Sequence, residues 1–144
     1  MGRYLRTAGA VLLAGGLVFG TTGCSGASSG GSGTAVQAGA HLGVSEFAQL
    51  AGTPGTVVLD VRTSAEFATG HLAGAVNLDV DSADFGQRLS ALDHHASYAV
   101  YCHSGRRSGM ALQQMQSAGF THVADLSGGV TAWTSAGRQL TSGS

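Results

Sequence analysis

The chain has 144 residues, 43% of them hydrophobic, and seven arginines with no lysine stand against eight acidic side chains for a formal net charge of -1. That length fits one small core plus appendages, and that balance excludes a basic surface built for nucleic acid or anionic membrane. The two cysteines, Cys24 and Cys102, form no Cys-x-x-Cys pair, so no metal site is expected.

Arg3 and Arg6 precede an uncharged run from Thr7 to Phe19 and then small residues, Gly20-Thr21-Thr22-Gly23, before Cys24. A positive start, a short apolar stretch and small residues read as a secretory signal peptide over residues 1–23, too short for a span of about 20 apolar residues. Thr21-Thr22-Gly23-Cys24 also resembles the bacterial lipoprotein box, with Thr21 where leucine is usual. That resemblance implies lipidation of Cys24 and an extracytoplasmic, membrane-anchored protein. Ordinary cleavage to a secreted form, or a retained anchor, are the alternatives. Cleavage leaves five arginines against eight acidic residues, a net charge of -3. Residues 24–40 are rich in Gly, Ser, Ala and Thr and read as a flexible tether. Residues 41–140 hold the folded domain, expected to be monomeric, and 141–144 a short tail.

Within the domain, Ser45 is placed to cap a helix carrying Phe47, Leu50 and Ala51, and Thr53-Pro54-Gly55 turns into the strand Thr56 to Val61. Thr63-Ser64-Ala65-Glu66 has the capping-box pattern, for a short helix ended by Gly70. A brief strand follows over Ala75 to Leu78, then a helix marked by Phe85, Leu89 and Leu92. His94-His95 reads as a solvated loop pair. Tyr98 to Tyr101 is a buried strand, and Ala111, Leu112, Met115 and Ala118 mark one face of a helix closed by Gly119. Met110 and Met115 read as packing residues. A strand over Val123 to Leu126 and a last helix through Trp133, read as core packing, complete the pattern. Alternating strands and helices predict an α/β domain with a parallel sheet of about five strands and helices on both faces.

Cys102-His103-Ser104-Gly105-Arg106-Arg107-Ser108 lies between the Tyr98–Tyr101 strand and the following helix. The first turn of a helix offers unpaired N–H groups and partial positive charge, and two guanidinium groups add to it, so a thiolate at Cys102 is favoured. A small buried structural cysteine is the alternative, but it has no need of His, Ser, Gly and two Arg in the next five positions.

This loop resembles the C-x-x-G-x-R-S active-site loop of the rhodanese family. Asp60-Val61-Arg62, Glu66-Phe67, Gly70-His71-Leu72 and Gly74-Ala75-Val76-Asn77 resemble that family's D-V-R, E-F, G-H-I and G-A-x-N series, and Gly128-Gly129-Val130-Thr131-Ala132-Trp133 its G-G-x-x-A-W ending. The resemblance implies a rhodanese-like single domain and sulfur transfer without a cofactor. Cys102 takes a sulfane sulfur from a small anionic donor such as thiosulfate, carries it as a persulfide, and gives it to an acceptor such as cyanide or a thiol. The backbone N–H groups of His103 to Ser108 would ring the outer sulfur, with His103, Ser104, Gly105, Arg106, Arg107 and Ser108 binding the substrate. His103 stands where thiosulfate users often carry a fixed positive charge, and Arg106 keeps thiosulfate as the favoured donor. Asp60 and Arg62 either brace the loop or reach the substrate, with bracing preferred, and Glu66 and His71 are assigned to structure.

Two other readings remain. A persulfide carrier or sensor with little turnover suits the same loop, its acceptor being a protein partner. A phosphatase or arsenate reductase is least favoured, because those enzymes place five residues between Cys and Arg whereas four separate Cys102 from Arg107.

Overall fold

The structure is a computed structural model that describes residues 38–142. The expected signal peptide, Cys24 and nearly all of the expected tether lie outside the described residues. Among the described residues five strands and five helices alternate, and no helix is long and apolar enough to cross a membrane.

The first strand, β1 (Ala40–Leu42), is not expected from the sequence pattern. Three residues ending at a glycine are too few to show alternation, and the strand exists by pairing with a distant partner. It leads through Gly43 into α1 (Val44–Ala51), so Ser45 lies inside the helix and is not its cap. Gly43 is extended where the chain leaves β1, and its N–H donates to the Glu46 carboxylate at 3.3 Å, which starts the helix earlier than Ser45. β2 (Thr56–Asp60) follows, then α2 (Ser64–Thr69), where the expected capping box is present. The Glu66 N–H donates to Thr63 Oγ1 at 3.2 Å and the Thr63 N–H to Glu66 Oε2 at 3.1 Å. β3 (Val76–Asn77) and α3 (Phe85–Ser90) lead to β4 (Ser97–Tyr101) and α4 (Arg106–Ser117), the longest helix among the described residues. β5 (Val123–Leu126) and α5 (Gly129–Ser135) complete the order.

The sheet is parallel throughout, in the order β1-β5-β4-β2-β3. Alternation along the strands divides the core in two. Leu59, Tyr98, Val100 and Cys102 pack with Phe85 and Leu89 of α3 and Ala111, Leu112 and Met115 of α4. Val58, Ala99, Tyr101, Ala124 and Leu126 pack on the other face with Phe47 and Leu50 of α1 and Val130 of α5. Each large apolar side chain buried this way contributes about 1.5–3 kcal/mol. Ala118 and Met110, expected to pack, are exposed: Ala118 is already the α4 C-cap, and Met110 points away from the inward face. His94 is also not merely solvated, since its ring stacks on Phe120 at 4.3 Å. Trp133 is half-buried, edge-on to Phe47 at 6.3 Å, with Arg138 4.8 Å above its ring. Thr141, placed in the tail by sequence, exchanges backbone hydrogen bonds with His71 at 2.8 and 2.9 Å.

Strand order fixes where a ligand can bind. From β2 the chain moves outward to β3 at one edge, whereas from β4 it moves the other way to β5. Adjacent strands whose connections diverge leave a crevice beyond their carboxyl ends. Cys102 follows β4 and Arg62 follows β2 at that place.

Candidate active site

Cys102 is 1% exposed, and its sulfur belongs to the core cluster beneath α4. Burial alone disfavours charge on sulfur, so the donors around it matter. The Gly105 N–H donates to Sγ at 3.1 Å, and the Cys102 thiol donates to Ser108 Oγ at 3.6 Å. Gly105 is the N-cap of α4 in the left-handed region, φ +95°, and a Cβ there would stand 3.1 Å from the Gly128 nitrogen. Only glycine takes this turn without strain.

The other half of the loop's support comes from α5. The Val130 N–H donates to the Cys102 carbonyl at 2.9 Å and the Thr131 N–H to the His103 carbonyl at 3.1 Å. A Cβ on Gly129 would fall 2.3 Å from the Cys102 carbonyl oxygen, so the close approach of these backbones requires glycine. With those two carbonyls held toward α5, the peptide N–H groups of His103 and Ser104 point away from it.

Arg107 does not stand free. It makes a two-point ion pair with Glu66, Nη1 to Oε2 at 2.7 Å and Nη2 to Oε1 at 2.6 Å, joining α4 to α2. Hydrogen bonding to Arg107, aided by Thr63, holds the Glu66 carboxyl down at about 2. The same contact raises Arg107 above the ordinary arginine value, with the Cys102 charge a smaller contributor. Glu66, assigned by sequence to structure, has that role in joining α2 to α4 and in addition lines the cleft. His103, Ser104 and Arg106 are exposed, and Arg106 makes no ion pair among the described residues. With Arg107, Glu66 and Asp81 they line a cleft of about 270 Å³. Asp81 had no signal in the sequence beyond its place in an acidic stretch.

Ser108 lies elsewhere. It is fully buried, behind the sulfur instead of in the cleft, with its hydroxyl 2.8 Å from Asp125 Oδ2 and 3.0 Å from the Gly105 carbonyl. Asp125 in turn meets His41 Nδ1 at 2.6 Å. Neither Asp125 nor His41 was singled out in the sequence. An acid inside the apolar run Val123-Ala124-Asp125-Leu126 was a usable signal, because a buried carboxylate needs partners.

Asp60 and Arg62 are buried together. Arg62 Nη2 donates to Asp60 Oδ2 at 2.6 Å and to the Gly70 carbonyl at 2.7 Å, and the guanidinium lies 5.6 Å from the centre of the Tyr101 ring. Tyr101 OH accepts the Leu72 N–H at 3.0 Å. Burial pushes the Tyr101 hydroxyl up, with the Asp60 carboxylate adding to it, so it stays protonated. The pair therefore braces the residue directly before Cys102 and is absent from the cleft lining.

A profile of the rhodanese-like domain matches residues 43–136. The chain is similar to the thiosulfate sulfurtransferase GlpE of Pseudomonas fluorescens, 38% identical over 89 residues that cover 61% of this chain and 79% of that protein. It is also similar to the putative sulfur carrier protein YrkF of Bacillus subtilis, 34% identical over 77 residues, 54% of this chain and 40% of that one. Among solved structures, the Alr3790 protein from Anabaena sp. superposes with a TM-score of 0.62 at 28% identity, covering 70% of this chain and 82% of that one.

Proposed function

The chain belongs to the rhodanese-like domain family, and from that membership we propose that it is a sulfurtransferase working through a Cys102 persulfide. In the first step the Cys102 thiolate attacks the outer sulfur of thiosulfate. The new S–S bond forms as the old one breaks, and sulfite leaves with the bonding pair. Cys102 then carries a persulfide anion. In the second step cyanide or a thiolate takes the outer sulfur, and the Cys102 thiolate is restored with its electron pair. Both steps conserve charge and need no metal or organic cofactor.

The observation that carries this reading is the Gly105 N–H aimed at Sγ from the N-terminus of a twelve-residue helix. Fixed donors of this kind stabilise negative charge as it develops on sulfur. Arg106 is the guanidinium left to meet an anionic donor, because Arg107 is occupied by Glu66. Similarity to a thiosulfate sulfurtransferase supports thiosulfate as the donor.

A second reading, a persulfide carrier that hands sulfur to a protein partner, is favoured by the buried thiol and by the similarity to a putative sulfur carrier protein. Glu66 and Asp81 at the cleft offset the two arginines and weaken its pull on a free dianion. Lipidation of Cys24 and an extracytoplasmic, membrane-anchored location complete the proposal, on the strength of the Thr21-Thr22-Gly23-Cys24 pattern.

Thiocyanate production from thiosulfate and cyanide separates the two readings. Steady turnover, with Arg106→Gln raising KM for thiosulfate, supports the enzyme. Persulfide formation that stops at one equivalent supports the carrier.

A further inference from the structure

We propose that His41 and Asp125 are positioning residues for the nucleophile, setting which way the Ser108 hydroxyl donates and thereby how readily Cys102 carries negative charge. The inference rests on Cys102 being the nucleophile.

The contacts form one chain from solvent to sulfur. His41 on β1 has a 65% exposed side chain, and its Nδ1 lies 2.6 Å from Asp125 Oδ1. His41 and Asp125 are register partners on adjacent parallel strands, so the sheet itself places them side by side. The Asp125 side chain is only 2% exposed, and its other oxygen lies 2.8 Å from Ser108 Oγ, which in turn is 3.6 Å from Cys102 Sγ. Four residues from β1, β5, α4 and the end of β4 thus share one line of hydrogen bonds.

Ser108 has one proton to give and three acceptors within reach: Asp125, the Gly105 carbonyl and the sulfur. While Cys102 is a thiol, its S–H donates to Ser108, and the hydroxyl proton is spent on the buried Asp125 carboxylate. When the sulfur becomes an anion it has no proton to give and needs a donor instead. The thiol proton passes to bulk solvent, the hydroxyl turns toward sulfur, and Asp125 loses Ser108. His41 is then its remaining side-chain donor among the described residues. A His41 ring N–H donated to the carboxylate satisfies it and releases the hydroxyl, and without that ring the hydroxyl stays on Asp125.

The other charged groups nearby act from different elements. Arg107 of α4 contributes to the field at Cys102 while paired with Glu66 of α2, and His103, Arg106 and Asp81 line the cleft. Among the described residues, the side-chain hydrogen-bond partner of His41 is Asp125.

The test is the rate of iodoacetamide alkylation of Cys102 against pH, read on its own peptide by mass spectrometry in the full chain. This reads the thiol and is independent of any sulfur donor, so failure of the sulfurtransferase reading leaves it intact. Replacing His41, an exposed residue, should slow alkylation at pH 7 roughly three- to fivefold in His41→Ala and move the profile to higher pH. Asp125→Asn, which removes the charge that holds the hydroxyl, should move it to lower pH. In the Ser108→Ala background the His41→Ala effect should disappear. Superimposable profiles for His41→Ala and wild type, shifts of the same sign in both single variants, or a His41 effect that persists without Ser108 would each overturn the proposal. If Asp125→Asn does not fold, the His41 and Ser108 arms decide alone.

Discussion

At the level of single residues, the site depends on which polar groups are already occupied. Two arginines follow Cys102 in sequence, yet Glu66 occupies one of them, so of the pair that looks like an anion clamp Arg107 is a strut and Arg106 is the one with no ion pair among the described residues. Glu66→Gln should therefore lower stability by about 1 kcal/mol, as for a partly exposed two-point pair. The pH dependence follows from the sign of the shift. The folded carboxyl sits at about 2, below its ordinary 4.5, so its contribution is complete above pH 4.5 and is lost as pH falls toward 2. Acid titration of Tm should lose that component in Glu66→Gln, and an unchanged profile would remove the strut. Ser108→Ala deletes a hydroxyl that touches the sulfur, so single-turnover persulfide formation should fall about tenfold with the fold retained by circular dichroism. Little of this was legible in the sequence. The Glu66–Arg107 and His41–Asp125 pairs join residues 41 and 84 positions apart, and no local pattern encodes such meetings.

Among elements, legibility follows how local each cause is. The α2 capping box was readable because Thr63 and Glu66 satisfy each other within one turn. β4 and β5 were readable as short apolar runs between turn residues. β1 was not, because its three residues gain their order from β5. The α1 start was misplaced at Ser45 because a glycine leaving a strand supplies the turn without any side chain. The Gly128-Gly129 pair was visible as a motif, but its purpose lies in the approach of α5 to the Cys102 loop. Gly129→Ala puts a methyl 2.3 Å from the Cys102 carbonyl and should cost about 1–3 kcal/mol while displacing the loop. Gly109 inside α4 meets nothing within 4 Å, and Gly109→Ala should stabilise the helix by about 0.4–1 kcal/mol. Urea midpoints that move in opposite directions for the two variants would check both.

Over the whole molecule, the parallel order β1-β5-β4-β2-β3 places the cysteine loop at the point where connections diverge, with the buried Asp60–Arg62 pair bracing the neighbouring strand end. The fold class was legible because alternating elements leave few topologies, and the crevice follows from strand order alone. Cys24, the other chemically notable residue, predicts partition of the full chain into the membrane fraction and its release by Cys24→Ala. Unchanged partition in that variant would point instead to a retained helix. Sulfur transfer through Cys102 is tested by the mass of the Cys102 peptide after exposure of the chain to thiosulfate and then to cyanide, beside Cys102→Ser. Cys102 should gain one sulfur atom that cyanide removes and that the variant never acquires. A folded protein whose Cys102 gains no sulfur from thiosulfate, or a variant that transfers sulfur as well as wild type, would contradict it.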